Sequence, residues 1–306
     1  MHGQESAEPT RIAVAGSSGL IGRALVTSLV ADGYEVVRLV RRPPRGPDEA
    51  RWDPKGHRVE AGALAGCRAV VNLAGAGIGD RRWTEDRKRE LRDSRVLGTA
   101  TLAEAVAALD QPPAVFVCGS AIGFYGDTGQ RAVDESAPPG DGFLAALCTD
   151  WEEAAASAQE AGVRTVFART GLVVTRHGGA WGPLFPVFRA GLGGRLGDGR
   201  QYWSAIALHD EVAALRHLID TPELSGPVNL TGPEPCTNRE VTAAMARVLH
   251  RPAVLPVPSA ALRIALGEFA GDVLSSQRVL PARLQESGFR FAFPGIDDMI
   301  RAALHD

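Results

Sequence analysis

The stretch Arg11-Ile-Ala-Val-Ala-Gly16-Ser-Ser-Gly19-Leu-Ile-Gly22 constrains the fold more than any other part of the chain. A short apolar run stops at Gly16. Glycines then recur at three-residue spacing, and an apolar-periodic segment from Ile21 to Val30 ends at Asp32-Gly33. The pattern predicts a strand, a tight turn and a helix. Gly16 permits the sharp turn, Gly19 lets backbone approach a pyrophosphate, and Gly22 permits close helix–strand packing. The helix N-terminus offers unpaired N–H groups to the anion. A glycine pattern alone also fits an ordinary loop. Here a second strand, Tyr34-Glu-Val-Val-Arg-Leu-Val40, follows at once. Gly16, Ser17, Ser18, Gly19, Leu20, Ile21 and Gly22 are therefore expected to hold a dinucleotide.

Arg41 and Arg42 follow the second strand, where such a fold meets the adenosine ribose. An acid there would bond the ribose 2′-hydroxyl, whereas a guanidinium fork suits a 2′-phosphate. The pair favours NADP(H), against the alternative of a solvated basic turn. The next buried strand, Ala69-Val-Val-Asn-Leu-Ala-Gly75, ends in small residues. Leu73, Ala74 and Gly75 leave room for a cofactor to pass over the strand end. Thr84 is the expected N-cap of a long helix. Ala114-Val-Phe-Val-Cys-Gly119 closes in Ser120-Ala-Ile-Gly-Phe-Tyr125, a hydroxyl and a phenol at the carboxyl end of a parallel strand. Rossmann-type sheets place chemistry there, although Ser120 taken alone could satisfy a turn amide. A helix from about Phe143 to Ala161 and a strand from Val163 to Gly171 follow.

From Thr175 to Ser204 glycines dominate, with Trp181, Phe185, Phe188, Tyr202 and Trp203 interleaved. This segment is expected to line a pocket, or else to pack a small core of its own. Asn238 is the expected cap of a helix from Arg239 to His250. The alternation predicts an α/β fold: a Rossmann doubly wound parallel sheet with a smaller C-terminal substrate lobe. Residues 10–175 plus 205–235 form the dinucleotide-binding domain, and 176–204 plus 236–306 form the lobe.

Composition narrows the partners. A net charge of -3 gives no reason to expect nucleic acid or an acidic membrane. The cysteines Cys67, Cys118, Cys148 and Cys236 lack metal or disulfide spacing, so no metal site is expected. The polar start, Met1 to Thr10, reads as a frayed tail without a signal sequence. No apolar stretch reaches membrane-spanning length. A cytoplasmic protein is expected, acting on a small molecule, with a homodimer as a possible assembly.

With these pieces placed, the sequence resembles the extended short-chain dehydrogenase/reductases, in particular an atypical NAD(P)-dependent epimerase-like branch sometimes mislabelled as cell-division inhibitors. The resemblance covers nearly the whole chain. It rests on Gly16-Ser-Ser-Gly19-Leu-Ile-Gly22, Asn72-Leu-Ala-Gly75, Arg82-Trp-Thr84, Asp93-Ser-Arg95-Val, Gly119-Ser-Ala-Ile-Gly-Phe-Tyr-Gly126 and Asp150-Trp-Glu152. It continues through Gly197-Asp-Gly199-Arg-Gln201 and Ser276-Gln-Arg-Val-Leu-Pro281. The resemblance implies a Rossmann domain and a nicotinamide cofactor.

The wider superfamily works with Asn, Ser or Thr, Tyr, and Lys, the last two as Y-x-x-x-K. The helix that should carry that motif, Phe143 to Glu152, holds neither tyrosine nor lysine. Arg95 falls in the Asn slot, and either Ser120 or Ala121 in the Ser slot. Two classes of function follow. One is an NADP(H)-dependent oxidoreductase or epimerase-like enzyme acting on a small carbonyl or hydroxyl substrate. In it Tyr125 donates the proton, Ser120 holds the carbonyl and Arg95 supplies the positive charge. The other is a protein that binds NADP(H), or senses redox state through it, without turnover.

Overall fold

The structure, a computed structural model, describes residues 10–306. The remainder of the polar start lies outside the described residues. The strands in chain order are β1 (Arg11–Ala15), β2 (Glu35–Val40), β3 (Glu49–Asp53), β4 (Arg58–Val59), β5 (Cys67–Asn72), β6 (Val115–Ala121), β7 (Thr165–Thr170), β8 (Leu172–Val174), β9 (Tyr202–Trp203), β10 (Ala205–Ala207), β11 (Gly226–Leu230) and β12 (Cys236–Thr237). Eight of them form one sheet in the order β11-β7-β6-β5-β1-β2-β3-β4. Its pairings are parallel except for β3 with β4. The chain starts at β1, runs outward through β2 and β3, then crosses back to β5 on the other side of β1. That reversal opens a crevice at the carboxyl ends of β1 and β5, where doubly wound sheets bind ligands.

The helices are α1 (Leu20–Ala31), α2 (Glu85–Ala107), α3 (Phe143–Glu153), α4 (Ala156–Glu160), α5 (Leu184–Arg189), α6 (Leu208–Asp220), α7 (Asn238–Leu249), α8 (Ser259–Leu266), α9 (Phe269–Leu274), α10 (Ala282–Glu286) and α11 (Ile296–Ala302). The central strands are apolar along both faces because both are covered. Ile12 and Val14 pack with Leu25 and Leu29 of α1 and Leu215 and Leu218 of α6. Ala13 and Ala15 face Leu102 and Val106 of α2, with Trp151 of α3 and Ala158 of α4. The expected helix from Phe143 to Ala161 breaks after Glu153. Ala155 N donates to Glu152 O in a tight turn, which lets Ala158 pack against this second face.

The glycine-rich segment differs from its pocket-lining expectation. Trp181, Phe185 and Phe188 are buried with Val241 and Met245 of α7 and Met299 and Ile300 of α11. The aromatics fill a separate core; Gly179, Gly191, Gly197 and Gly199 take positive φ in the turns between them, whereas Gly193 and Gly194 let the chain pass close to Phe188 and the Leu255 backbone. The cap of α7 is Thr237, which forms a capping box with Glu240. Asn238 instead accepts from Leu196 N at 2.8 Å.

The C-terminal segment ties the crevice loops together. Arg82 Nε donates to Ala265 O at 3.1 Å, and Lys88 meets Glu268 at 3.2 Å. Phe269 lies against Trp83, with ring centroids 5.2 Å apart. The strap Ser276–Leu280 then accepts from Thr128 N at 2.7 Å, donates from Gln277 N to Tyr202 O at 3.0 Å, and accepts from Asn229 Nδ2 at 2.9 Å.

Candidate functional site

Gly16 adopts φ +79°, which L side chains rarely take. A Cβ there would lie 2.5 Å from Leu73 C and 2.7 Å from Ala74 N. The glycine turn therefore rests directly on the end of β5, and the two stretches expected to hold the cofactor come together. Gly22 serves a different neighbour from the one expected. Its Cβ would lie 2.1 Å from Gly16 O, so it makes room for the turn rather than for a strand. Gly19 has an open side: a Cβ there would meet only Gly16 O, at 3.3 Å. Gly19 is also the N-cap of α1, which has no side-chain cap and no acidic residue in its first turn. The amides of Leu20, Ile21 and Gly22 thus face the open side of the turn beside Ser17 and Ser18. These residues fit a pyrophosphate, since the cradle offers bare backbone and orphan N–H donors.

The structure separates the two arginines. Arg42 forks onto Glu49 with both contacts at 2.7 Å. Hydrogen bonds from Arg42 and then from the Arg45 amide hold the Glu49 carboxyl at about 2. Arg41 is exposed and forms no ion pair among the described residues.

Ser120 and Tyr125 belong to one buried relay. Ser120 Oγ donates to Glu152 Oε1 at 2.6 Å. Arg169 forks onto the same carboxylate, Nε to Oε1 and Nη2 to Oε2, both at 2.8 Å. Arg169 Nη1 donates to the Tyr125 hydroxyl at 2.9 Å, and that hydroxyl donates to Asn229 Oδ1 at 2.7 Å. Burial pushes the Tyr125 phenol up against the opposing pull of Arg169. The cation beside Tyr125 is therefore Arg169, which corrects the expectation that Arg95 would serve it. Arg95, on α2, reaches Ala76 O and stacks over the Trp151 ring. The relay joins residues at the ends of β6, β7 and β11 to Glu152 of α3, while Arg95 stands on α2 against the neighbouring Trp151 of α3.

Glu152, Arg169 and Asn229 were given no role by the sequence reading. A signal existed: β7 is buried on both faces, so a charge within it must find a partner. Glu211 was also missed. It is fully buried on α6 and accepts from Thr170 Oγ1 at 2.8 Å, while its Oε2 has no partner among the described residues. Burial raises its carboxyl from 4.5 to about 8. Between those values the folded chain holds a proton that the unfolded chain has lost. Its contribution is thus fully present below pH 4.5 and fades as pH rises through about 8, with a slope of about 1.4 kcal/mol per pH unit. Glu211→Gln is expected to remove that slope. Urea denaturation of both proteins across this range checks it, and parallel stability curves would refute it.

Comparison with known proteins agrees with the glycine cradle and the switch-point crevice. The NAD dependent epimerase/dehydratase family model matches residues 12–230. The chain belongs to that family. A second model, "Domain of unknown function (DUF1731)", matches residues 257–303, which include α8, α9 and the strap. "Epimerase family protein Mb2239" of Mycobacterium bovis is 50% identical over 281 residues, covering 92% of this chain and 93% of the relative. The human epimerase family protein SDR39U1, isoform 2, crystallised with NADPH, superposes with a TM-score of 0.88 at 34% identity, covering 97% of this chain and 100% of that one. A nucleoside-diphosphate sugar epimerase from Corynebacterium glutamicum gives a TM-score of 0.80 at 36% identity, covering 97% of this chain but 58% of that one. The family membership bears out the likeness to extended short-chain dehydrogenase/reductases. Among the described residues no helix is long and apolar enough to cross a membrane.

Proposed function

We propose that this chain is an NADP(H)-dependent oxidoreductase or epimerase-like enzyme acting on a small carbonyl or hydroxyl compound. The observation that carries this reading is the Gly16–Gly22 cradle, seated on Leu73 and Ala74 beneath an uncapped helix. NADPH in the human relative's crystal supports the choice of cofactor. When bound, the nicotinamide supplies or accepts a hydride. Arg95 is the group assigned to meet the substrate. Ser120 donates its one hydrogen bond to Glu152, and Tyr125 donates its own to Asn229. Both are assigned to fixing the turn Ile122–Tyr125 that follows β6. On this assignment Tyr125→Phe keeps turnover within about tenfold of wild type, where loss of a general acid would remove roughly 10²–10⁴-fold. NADPH oxidation across a panel of small aldehydes and ketones tests the enzyme reading. Tight NADPH binding with no turnover on any of them would favour the second reading, a binding or redox-sensing protein. The absence of tyrosine and lysine from α3 supports that alternative.

Preference for NADP(H) is assigned to Arg41. A charge-assisted contact contributes about 1.5–3 kcal/mol, or roughly ten- to hundredfold in affinity. Arg41→Ala is expected to weaken NADPH binding by that factor and leave NADH unchanged. Arg42→Ala should instead disturb the loop, since it strips Glu49 of its fork. Titration of each variant with both cofactors checks this, and an unchanged NADPH affinity in Arg41→Ala would remove the assignment.

A further inference from the structure

We propose that Arg95 anchors a negatively charged group of the substrate, a carboxylate or a phosphate. The inference rests on the dinucleotide reading above and names the substrate class that goes with it. Three arginines are buried among the described residues: Arg87, Arg95 and Arg169. Arg169 has the Glu152 carboxylate at 2.8 Å, and Arg87 has Glu90 at 2.6 Å. Arg95 is 8% exposed and has no carboxylate within ion-pair distance among the described residues. Its hydrogen bonds go to neutral oxygens: Leu91 O at 3.1 Å, Ala76 O at 3.0 Å and, at 3.5 Å, Ser94 Oγ. A guanidinium carries five N–H donors, so capacity remains. A buried cation without a counter-charge costs several kcal/mol, and such groups cluster where a ligand completes them.

Its place in the fold agrees. A Cβ at Gly75 would lie 3.1 Å from Arg95 Cζ, so the charge sits against bare backbone just past the end of β5. Its other wall is the Trp151 ring, 5.1 Å away. The anions of the cofactor have other partners in this reading. The pyrophosphate takes the α1 amides and the 2′-phosphate takes Arg41. The charge at Arg95 is left for the substrate, and a planar fork suits a carboxylate or a phosphate.

The test uses the whole protein, with and without saturating NADPH. Pyruvate, inorganic phosphate and acetone are titrated while tryptophan emission and melting temperature are read. Wild type is expected to respond to pyruvate or phosphate and not to acetone, the uncharged analogue, and the stronger of the two anions names the group. Arg95→Met keeps the aliphatic stem on Trp151 and removes the charge. It should lose about tenfold or more in anion affinity while NADPH affinity holds within about twofold. Arg95→Lys should retain part of the response. Equal responses to pyruvate and acetone overturn the proposal, as does no response to either anion in wild type. An undiminished anion response in Arg95→Met, or a matching fall in its NADPH affinity, does the same. If wild type fails to bind NADPH, the dinucleotide reading falls, and the cofactor-free titrations still decide Arg95.

Discussion

Glu152→Ala is expected to destabilise the chain by about 3–5 kcal/mol, the loss that follows when one partner of a buried ion pair is removed. The reason is what remains behind. Arg169 is 3% exposed and sits 3.4 Å over the Phe124 ring. Without Glu152 it keeps the Tyr125 hydroxyl and an aromatic face but no counter-charge, and Ser120 loses its acceptor. Burial opposes the Arg169 charge, and the hydrogen bonds and charge of Glu152 overcome it, so its pKa stands above the ordinary arginine value. The single variant therefore inverts that balance. The double variant Glu152→Leu/Arg169→Met removes both charges and fills their volume, so it should recover most of the loss. Urea denaturation of wild type, single and double variants reads the difference. A loss below about 1 kcal/mol in Glu152→Ala is the size of an exposed pair, and would mean that water reaches the relay.

The relay also marks where sequence reading ran short. The sheet was legible because its strands are unbroken apolar runs bounded by glycine turns, and parallel strands need nothing more specific. Helix starts were legible where a cap lay at a plain boundary, as at Thr84, whose side chain accepts from Arg87 N at 3.2 Å. The cap at Thr237 was missed by one residue because Asn238 is an equally good capping type. Its side chain had a distant partner, Leu196, that spacing does not reveal. Pairings across the fold were the larger loss. Ser120 and Glu152 are 32 positions apart, and Tyr125 and Asn229 are 104 apart. Local pattern cannot say that a serine at the end of one strand and a tyrosine just past it already donate to acceptors in distant elements. Arg95 was picked out by its slot in the family pattern, yet the cation beside Tyr125 came from another strand. The aromatic segment misled for a related reason. Alternating glycine and aromatic residues fit a pocket wall and a lobe core equally well, and burial of Trp181 and Phe185 decides for the core.

Gly19→Val is expected to abolish NADPH binding, by about a hundredfold or more, while the chain stays folded. The three glycines of the cradle are not equivalent. Gly16 has φ +79° and backbone of Leu73 2.5 Å from where its Cβ would stand, so a branched residue strains the turn and pushes it off β5. A Cβ at Gly22 would collide with Gly16 O at 2.1 Å. Both changes strike the fold. Gly19 has φ −72° and ψ 175°, an extended conformation that valine adopts readily. Its Cβ would meet only Gly16 O, at 3.3 Å, and its γ-carbons would project into the open side of the turn. That is the space a pyrophosphate needs to reach the amides of Leu20, Ile21 and Gly22. Valine is a poor N-cap, yet α1 has no side-chain cap to lose, so the cost to stability is about 1 kcal/mol or less. Circular dichroism and a melting curve establish that the variant is folded, and NADPH fluorescence titration reads the binding. A folded Gly19→Val protein that still binds NADPH with wild-type affinity would place the pyrophosphate elsewhere and remove the cradle from the site.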